Sequence, residues 1–242
     1  MGKRDLHPRM LCDDSKMSSA AYRGELFELG PSGPDASDFF AEAPAELRGA
    51  IHTRAEVTEF ILDLVGWSTA EPLEQMRLLE PSAGEGDFLV PAVDRLLKRT
   101  SHSGLSALRN CIRAVEVNTS AMGVCRRRLK ECITAYGWDL EEAEGLLDVW
   151  LIQGDFLTVP LPSDFTHIVG NPPYVRLELL PKELLQLYRA RWKSLVDRAD
   201  LYVAFFERSL DLLADDGRLG FICADRWTKN RYGRALRSKV AD

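Results

Sequence analysis

Short apolar runs alternate with stretches of helical spacing along most of this chain, and that alternation restricts its fold more than any other feature. The apolar runs fall at residues 77–79, 111–117, 149–152, 167–170 and 218–223; helical spacing covers residues 88–98, a segment reaching 132, 201–213 and 233–240. Strands alternating with helices build βαβ units, in which parallel strands are joined by right-handed crossovers. The expected class is therefore α/β, with a doubly wound, mostly parallel sheet. Ligands of such sheets bind outside the carboxyl ends of the strands, near the point where the strand order reverses. The loops that follow the strands are thus where chemistry should be sought.

Composition removes several other classes. Hydrophobic residues make up 45% and charged residues 28% of the 242 residues, and the mean hydropathy is -0.18. That is ample material for a buried core and too much for a wholly disordered chain. The apolar stretches at residues 60–65 and 88–93 are broken by Asp63 and Pro91 and fall far short of the roughly 20 residues of a membrane span. Residues 1–20 lack the apolar centre of a secretory leader, so a cytoplasmic chain with no membrane attachment is expected. The five cysteines, Cys12, Cys111, Cys125, Cys132 and Cys223, are odd in number and lack CxxC spacing. Neither a disulfide framework nor a zinc cluster follows, and no metal is expected. The net charge of -6 argues against nucleic-acid binding through bulk positive charge. Arg226, Lys229, Arg231, Arg234, Arg237 and Lys239 nevertheless gather at one end, where they are either a solvated helix face or a local basic surface.

Residues 1–45 are rich in Ser, Gly, Pro, Asp and Ala without periodicity, so we expect a flexible arm there and a folded domain over residues 46–242. The domain opens on a helix. Thr53 stands three residues before Glu56 in a capping-box pattern, and Val57, Phe60, Ile61, Leu64 and Val65 recur at helical spacing until Gly66.

Each post-strand loop carries residue types suited to a nucleoside. The first reads Glu80-Pro81-Ser82-Ala83-Gly84-Glu85-Gly86-Asp87. Gly84 and Gly86 permit close approach of a ligand to the backbone. Leu89 replaces the small residue of a dinucleotide fingerprint, and no Lys-Ser/Thr pair follows as in a P-loop. Glu116, directly before Val117, ends the second strand, where two acceptor oxygens match a vicinal diol. The third loop, Gly154-Asp155-Phe156, offers an acceptor for an exocyclic amine and an aromatic face. The fourth, Gly170-Asn171-Pro172-Pro173-Tyr174, is stiff, because its prolines fix their backbone angles, and rich in free acceptors, because they lack N–H groups. Asn171 adds a side-chain oxygen and Tyr174 a π-face, together matching a planar base that bears an NH2 group.

In this order the residues resemble S-adenosylmethionine-dependent amino-methyltransferases, specifically the gamma-class N6-adenine DNA methyltransferases of restriction-modification systems, over residues 49–240. Ala50-Ile51-His52-Thr53 is similar to that family's N-terminal cofactor motif, residues 79–88 to its glycine motif, and residues 114–117 to its ribose motif. Asp155-Phe156 is similar to its adenine motif, and Asn171-Pro172-Pro173-Tyr174-Val175-Arg176 to its catalytic motif; residues 200–206 and 217–229 resemble the helix and strand that follow. Arg54 departs from the usual proline, and Ser82-Ala83 from the usual Ala-Cys.

The resemblance implies a Rossmann-like class I methyltransferase fold and assigns roles by position. Thr53 and the backbone of Pro81, Ser82, Ala83, Gly84 and Gly86 would hold the methionine moiety of S-adenosyl-L-methionine, Glu80 its amino end, Glu116 with Val117 its ribose, and Asp155 with Phe156 its adenine. Asn171 and the Pro172 carbonyl would accept the two N–H bonds of the target adenine and turn its lone pair toward the methyl group. Pro173 would stiffen the loop, and Tyr174 would stack on the flipped base. The implied partners are double-stranded DNA, a recognition domain or subunit, and a cognate restriction endonuclease. In the family a closing β-hairpin and a target-recognition region follow the last helix. We expect this sequence, which ends at Asp242, to lack both and to receive them from a longer chain or another polypeptide.

Asn-Pro-Pro-Tyr also serves enzymes that methylate glutamine side chains of proteins or guanine amines of RNA, since each target is a planar NH2 group. A non-catalytic subunit that binds cofactor or DNA is a third reading. Arg176, the segment Asp200-Leu201-Tyr202 and the basic residues from Arg226 to Lys239 favour DNA.

Overall fold

The computed structural model of the chain describes residues 39–41, 43–44, 48–100 and 104–241. Most of the expected arm lies outside these residues. Five strands, β1 (Leu78–Glu80), β2 (Ile112–Glu116), β3 (Leu151–Gln153), β4 (Phe165–Gly170) and β5 (Leu213–Phe221), form one sheet in the order β3-β2-β1-β4-β5. Every pairing is parallel. The chain winds outward from β1 to β3, then returns to lay β4 against the other side of β1. The carboxyl ends of β1 and β4 therefore flank the switch point of the sheet.

Helices α1 (Ala55–Val65), α2 (Leu89–Arg99), α3 (Thr119–Ala135) and α4 (Leu140–Trp150) cover one face; α5 (Lys182–Arg191), α6 (Tyr202–Leu212) and α7 (Arg234–Ala241) cover the other. Successive strand residues point to opposite faces, and the burial follows that rule. Leu78, Ile112, Ala114 and Val169 join the first layer, while Leu79, Val115 and Ile168 join the second. A sheet covered on both sides needs apolar residues at nearly every strand position. This is why the strands read as short apolar runs in the sequence, interrupted in β2 by Arg113 and in β4 by Thr166 and His167.

Two local expectations change. The helix over Ala55–Val65 forms and stops at Gly66, which takes φ +81° and closes the last turn. Its capping box does not form: Arg54 is the N-cap and gives no side-chain bond. The Thr53 hydroxyl accepts from Asn171 Nδ2 instead (3.3 Å). The apolar run at residues 149–152 straddles two elements, because Trp150 is the last residue of α4 and β3 starts at Leu151. Asp139 and Glu142 bond each other's backbone N–H groups to cap that helix.

Part of the expected arm is folded. Phe40 is 5% exposed and packs in the second layer. Asn118, the N-cap of α3, accepts from Ala121 N–H (2.9 Å) and donates through Nδ2 to the Ala41 carbonyl (2.6 Å). One side chain thus caps a helix and fastens the N-terminal segment to it. Asn118→Ala should cost about 1 to 2 kcal/mol by urea unfolding, and Asn118→Asp, which keeps the cap acceptor and loses the donor, should cost less. Equal midpoints for Asn118→Ala and the parent would refute this account of the cap.

Candidate functional site

The four post-strand loops converge on the carboxyl ends of β1, β2, β3 and β4, and hydrogen bonds join them into one unit. Glu116, 6% exposed at the end of β2, accepts Gly84 N–H (2.7 Å) on one carboxylate oxygen and Asn118 N–H (2.8 Å) on the other. Burial raises its pKa, and the amide N–H groups oppose that rise. Gly86 takes φ +89° and lies under α3, where an added Cβ would stand 3.1 Å from Cys125 Sγ. The glycine loop is therefore set by α3 as much as by its own sequence.

Asp87 fastens the opposite rim. It accepts Thr53 N–H (3.0 Å), His52 Nδ1 (3.1 Å) and Arg128 Nη1 (3.2 Å). Burial alone would raise its carboxyl, but these bonds hold it below its ordinary value. Glu80, 2% exposed, has the opposite fate. Its Oε2 has no partner, and burial, then Asp87 and Glu116, push its pKa well above the usual carboxylate range.

The loop after β4 is tied on both sides. Ser82 Oγ donates to the Asn171 carbonyl (3.2 Å), and Asn171 Nδ2 donates to Ile51 O and Thr53 Oγ1 (3.3 Å each). Both amide hydrogens of the Asn171 side chain are thus engaged, while its Oδ1 is buried and unpartnered. Pro172 is buried. Tyr174 N–H donates to Gly49 O (3.2 Å). Gly49 takes φ +60°, and a Cβ there would lie 2.5 Å from the Tyr174 carbonyl carbon. The Tyr174 ring leans on Tyr202 with centroids 5.8 Å apart, and its hydroxyl donates to Ile222 O (3.4 Å).

Beyond β3, Asp155 accepts Leu157 N–H (2.9 Å) and the Tyr188 hydroxyl (3.0 Å). Burial raises its pKa against these bonds. Phe156 packs on Phe205 at 5.0 Å, and the Arg208 guanidinium covers its ring at 4.9 Å.

These walls border two adjoining clefts that open to solvent. One, of about 710 Å³, is lined by Pro81, Glu116, Val117, Asp155, Phe156 and Pro173, together with Phe40, Tyr188 and Phe205. The other, of about 590 Å³, is lined by Thr53, Glu80, Ala83, Glu85 and Asp87. Arg48, Ile51, Ser82, Gly84 and Asn171 border both. Gly86, Pro172 and Tyr174 line neither. Glu116 holds loop backbone with both oxygens, so it shapes the cleft besides facing it. Sequence reasoning missed Phe40, Arg48, Asp87 and Tyr188. Phe39-Phe40, two aromatic residues within a polar stretch, was the available signal for the first.

Over residues 110–241, more than half its length, the sequence matches the Eco57I restriction-modification methylase family. The chain belongs to that family. Its relatives include the type II methyltransferase M.XhoI of Xanthomonas vasicola, 52% identical over 201 residues that make up 81% of this chain and 37% of the relative. M.PaeR7I of Pseudomonas aeruginosa is 49% identical over 206 residues, 83% of this chain and 36% of the relative. This Eco57I-family chain therefore spans little more than a third of the length of those proteins. Among solved structures, the methyltransferase subunit of a type I restriction-modification system from Streptococcus thermophilus superposes with a TM-score of 0.55 at 15% identity, covering 78% of this chain and 38% of that one. The shared architecture is the Rossmann-like α/β fold of class I methyltransferases.

The buried Glu80 carboxyl gives a stability test with a definite sign. A group whose pKa rises on folding destabilises the native state once the unfolded chain has ionised. Glu80→Gln should therefore match the parent below about pH 4.3 and exceed it in ligand-free stability as pH rises above that value. Thermal unfolding across pH checks this; a variant less stable at neutral pH would contradict it.

Proposed function

We propose that this chain is the methyl-transfer portion of a site-specific DNA adenine N6-methyltransferase that uses S-adenosyl-L-methionine. The observation that carries the reading is the buried, unpartnered Oδ1 of Asn171. An amide whose hydrogens are tied to Ile51 and Thr53 has only an acceptor left to offer, and a burial cost of this kind persists where a ligand supplies the donor. The names of M.XhoI and M.PaeR7I as type II methyltransferases agree with it.

The cleft suits the cofactor. Glu80, with a free Oε2, and Asp87 place carboxyl groups along the second volume, fit for an ammonium and a sulfonium. Glu116 and Val117 would border the ribose, and Asp155 and Phe156 the adenine. The backbone of Pro81, Ser82, Ala83, Gly84 and Gly86, with Thr53, would shape the methionine end. The bound cofactor supplies an electrophilic methyl group.

The rest is work for this chain's residues. The exocyclic nitrogen of adenine is a weak nucleophile because its lone pair is delocalised into the ring. Asn171 Oδ1 and the Pro172 carbonyl would accept its two hydrogens and localise that pair, and Pro173 would keep both acceptors in place. The amine is neutral on attack, so no base with a shifted pKa is required, and the proton departs after the new C–N bond has formed. Tyr174, braced by Gly49 and Tyr202, would stack on the extruded base for roughly 1 to 3 kcal/mol, offsetting an extrusion cost of a few kcal/mol. Alignment of the reactants supplies much of the remaining acceleration.

Sequence readout needs side chains at base edges. We assign it to a recognition region or subunit that acts with this chain, beside a cognate endonuclease. The chain would act in the cytoplasm, where its DNA lies. Among the described residues no helix is long and apolar enough to cross a membrane.

Labelled S-adenosylmethionine and duplex DNA, with the chain joined to its recognition region, test the assignment. The label should appear as N6-methyladenine at one short motif. Asn171→Ala should abolish transfer and leave cofactor affinity within a few-fold. Label in cytosine, RNA or protein, or a fully active Asn171→Ala enzyme, would overturn the proposal.

A further inference from the structure

A second cleft opens beyond the Asn171 loop, and the reading above leaves it without a task. Leu201 N–H donates to Val175 O (2.9 Å), and Arg176 pairs with Asp200 in an antiparallel bridge. Past this pairing lies an open volume of about 800 Å³ walled by Arg176, Arg198, Asp200, Arg226, Asn230 and Tyr232. Arg198 and Arg231 also border the adjoining hollow. Its arginines come from the segment after β4, the turn before α6 and the segment after β5, so tertiary folding gathers them.

The fold sorts the C-terminal basic residues into two groups. Lys229 is paired with Asp225, Lys239 with Asp211, and Arg237 donates to the carbonyls of Trp227 (2.6 Å) and Asn230 (2.9 Å). Those three serve the chain itself. Arg226, Arg231 and Arg234 are exposed and make no ion pair among the described residues, and of these Arg226 and Arg231 border the two hollows. Carboxylates border the cleft as well. Glu178 reaches Arg198 only at 4.0 Å, with both side chains mostly in solvent, where an ion pair contributes about 0 to 1 kcal/mol. Asp200 lines the cleft with Arg176 and Arg226 and feels the charge of both, and Asp197 borders the adjoining hollow.

The cleft also has an address. The Tyr174 ring touches Tyr202, whose hydroxyl lies 3.4 Å from that of Tyr232, and Tyr232 lines the cleft. Three aromatic side chains, Tyr174, Tyr202 and Tyr232, therefore lead from the place assigned to the extruded base to the cleft. Guanidinium forks match phosphate oxygens in pairs and keep their charge at any working pH.

We propose that this cleft is a phosphodiester site, in which Arg176, Arg198, Arg226 and Arg231 hold the DNA backbone beside the extruded nucleotide. The proposal rests on the DNA-methyltransferase reading of the neighbouring site. Such contacts fix register without reading sequence. They also explain how an acidic chain meets a polyanion: the attraction is local.

The test is binding of a short fluorescent DNA duplex to the chain across a salt series, with S-adenosylmethionine affinity measured on the same preparations. The parent should bind with an affinity that falls steeply with salt. Arg198→Ala and Arg226→Ala should each lower the slope of log affinity against log salt by about one, and the double variant by about two. Arg226→Lys should keep the slope, since charge sets it. Arg127→Ala, on the outer side of α3, should change nothing. A double variant with unchanged slope and normal cofactor binding would overturn the phosphate site alone, as would a parent chain that binds cofactor and no DNA. Loss of cofactor binding by the parent itself would instead strike the methyltransferase reading.

Discussion

Two hydrogen bonds to one buried carboxylate hold the site together. Glu116 takes the N–H of Gly84 from the loop after β1 and the N–H of Asn118 from the start of α3. Charge-assisted bonds of this kind contribute about 1.5 to 3 kcal/mol each, against a real cost of burying the carboxylate. Asn118 in turn grips Ala41, so the bonds run from the N-terminal segment through α3 and β2 to the glycine loop. Ser82 and Thr53 carry the linkage on to Asn171. Displacing any one loop disturbs the others, which makes the cleft a single structure.

The cleft is arranged against its own stability. Glu80 is buried with an oxygen unsatisfied, and Asn171, which borders the same cleft, keeps a buried oxygen without a partner. A chain selected only for folding would replace both with apolar residues or give them partners. Asp87 shows the alternative: three donors hold it below its ordinary pKa, and it works as a fastener. Under the proposed function, Glu80 and Asp87 thus divide between binding and structure according to whether donors within the protein already satisfy them. That division is the expected trade of stability for function.

Much of this was legible in the sequence. The parallel sheet, its strand-end loops and the convergence of Glu80, Glu116, Asp155 and Asn171 follow from apolar runs that end in special residues. Strands buried on both faces leave a continuous apolar signal, and post-strand loops are where such folds place ligands. What was illegible is long-range. Asp87 meets Thr53 across 34 positions and Tyr188 meets Asp155 across 33, with no periodicity to announce either. The capping pattern at Thr53 misled because a tertiary partner, Asn171, outcompeted the local one. Helix α4 was hidden because it passes into β3 without an intervening loop, so Trp150 read as part of a strand. Phe40 was masked by its Gly- and Pro-rich surroundings.

The central claim is that one cleft at the switch point holds the cofactor beside the acceptor of the target amine. A crystal structure of the chain with S-adenosylhomocysteine tests it most directly. The account requires density for the amino acid end against Glu80, the ribose at Glu116 and Val117 and the adenine at Asp155 and Phe156, with the sulfur beside the Asn171 loop. Density at any other place on the protein, or an adenine away from Asp155 and Phe156, would contradict it.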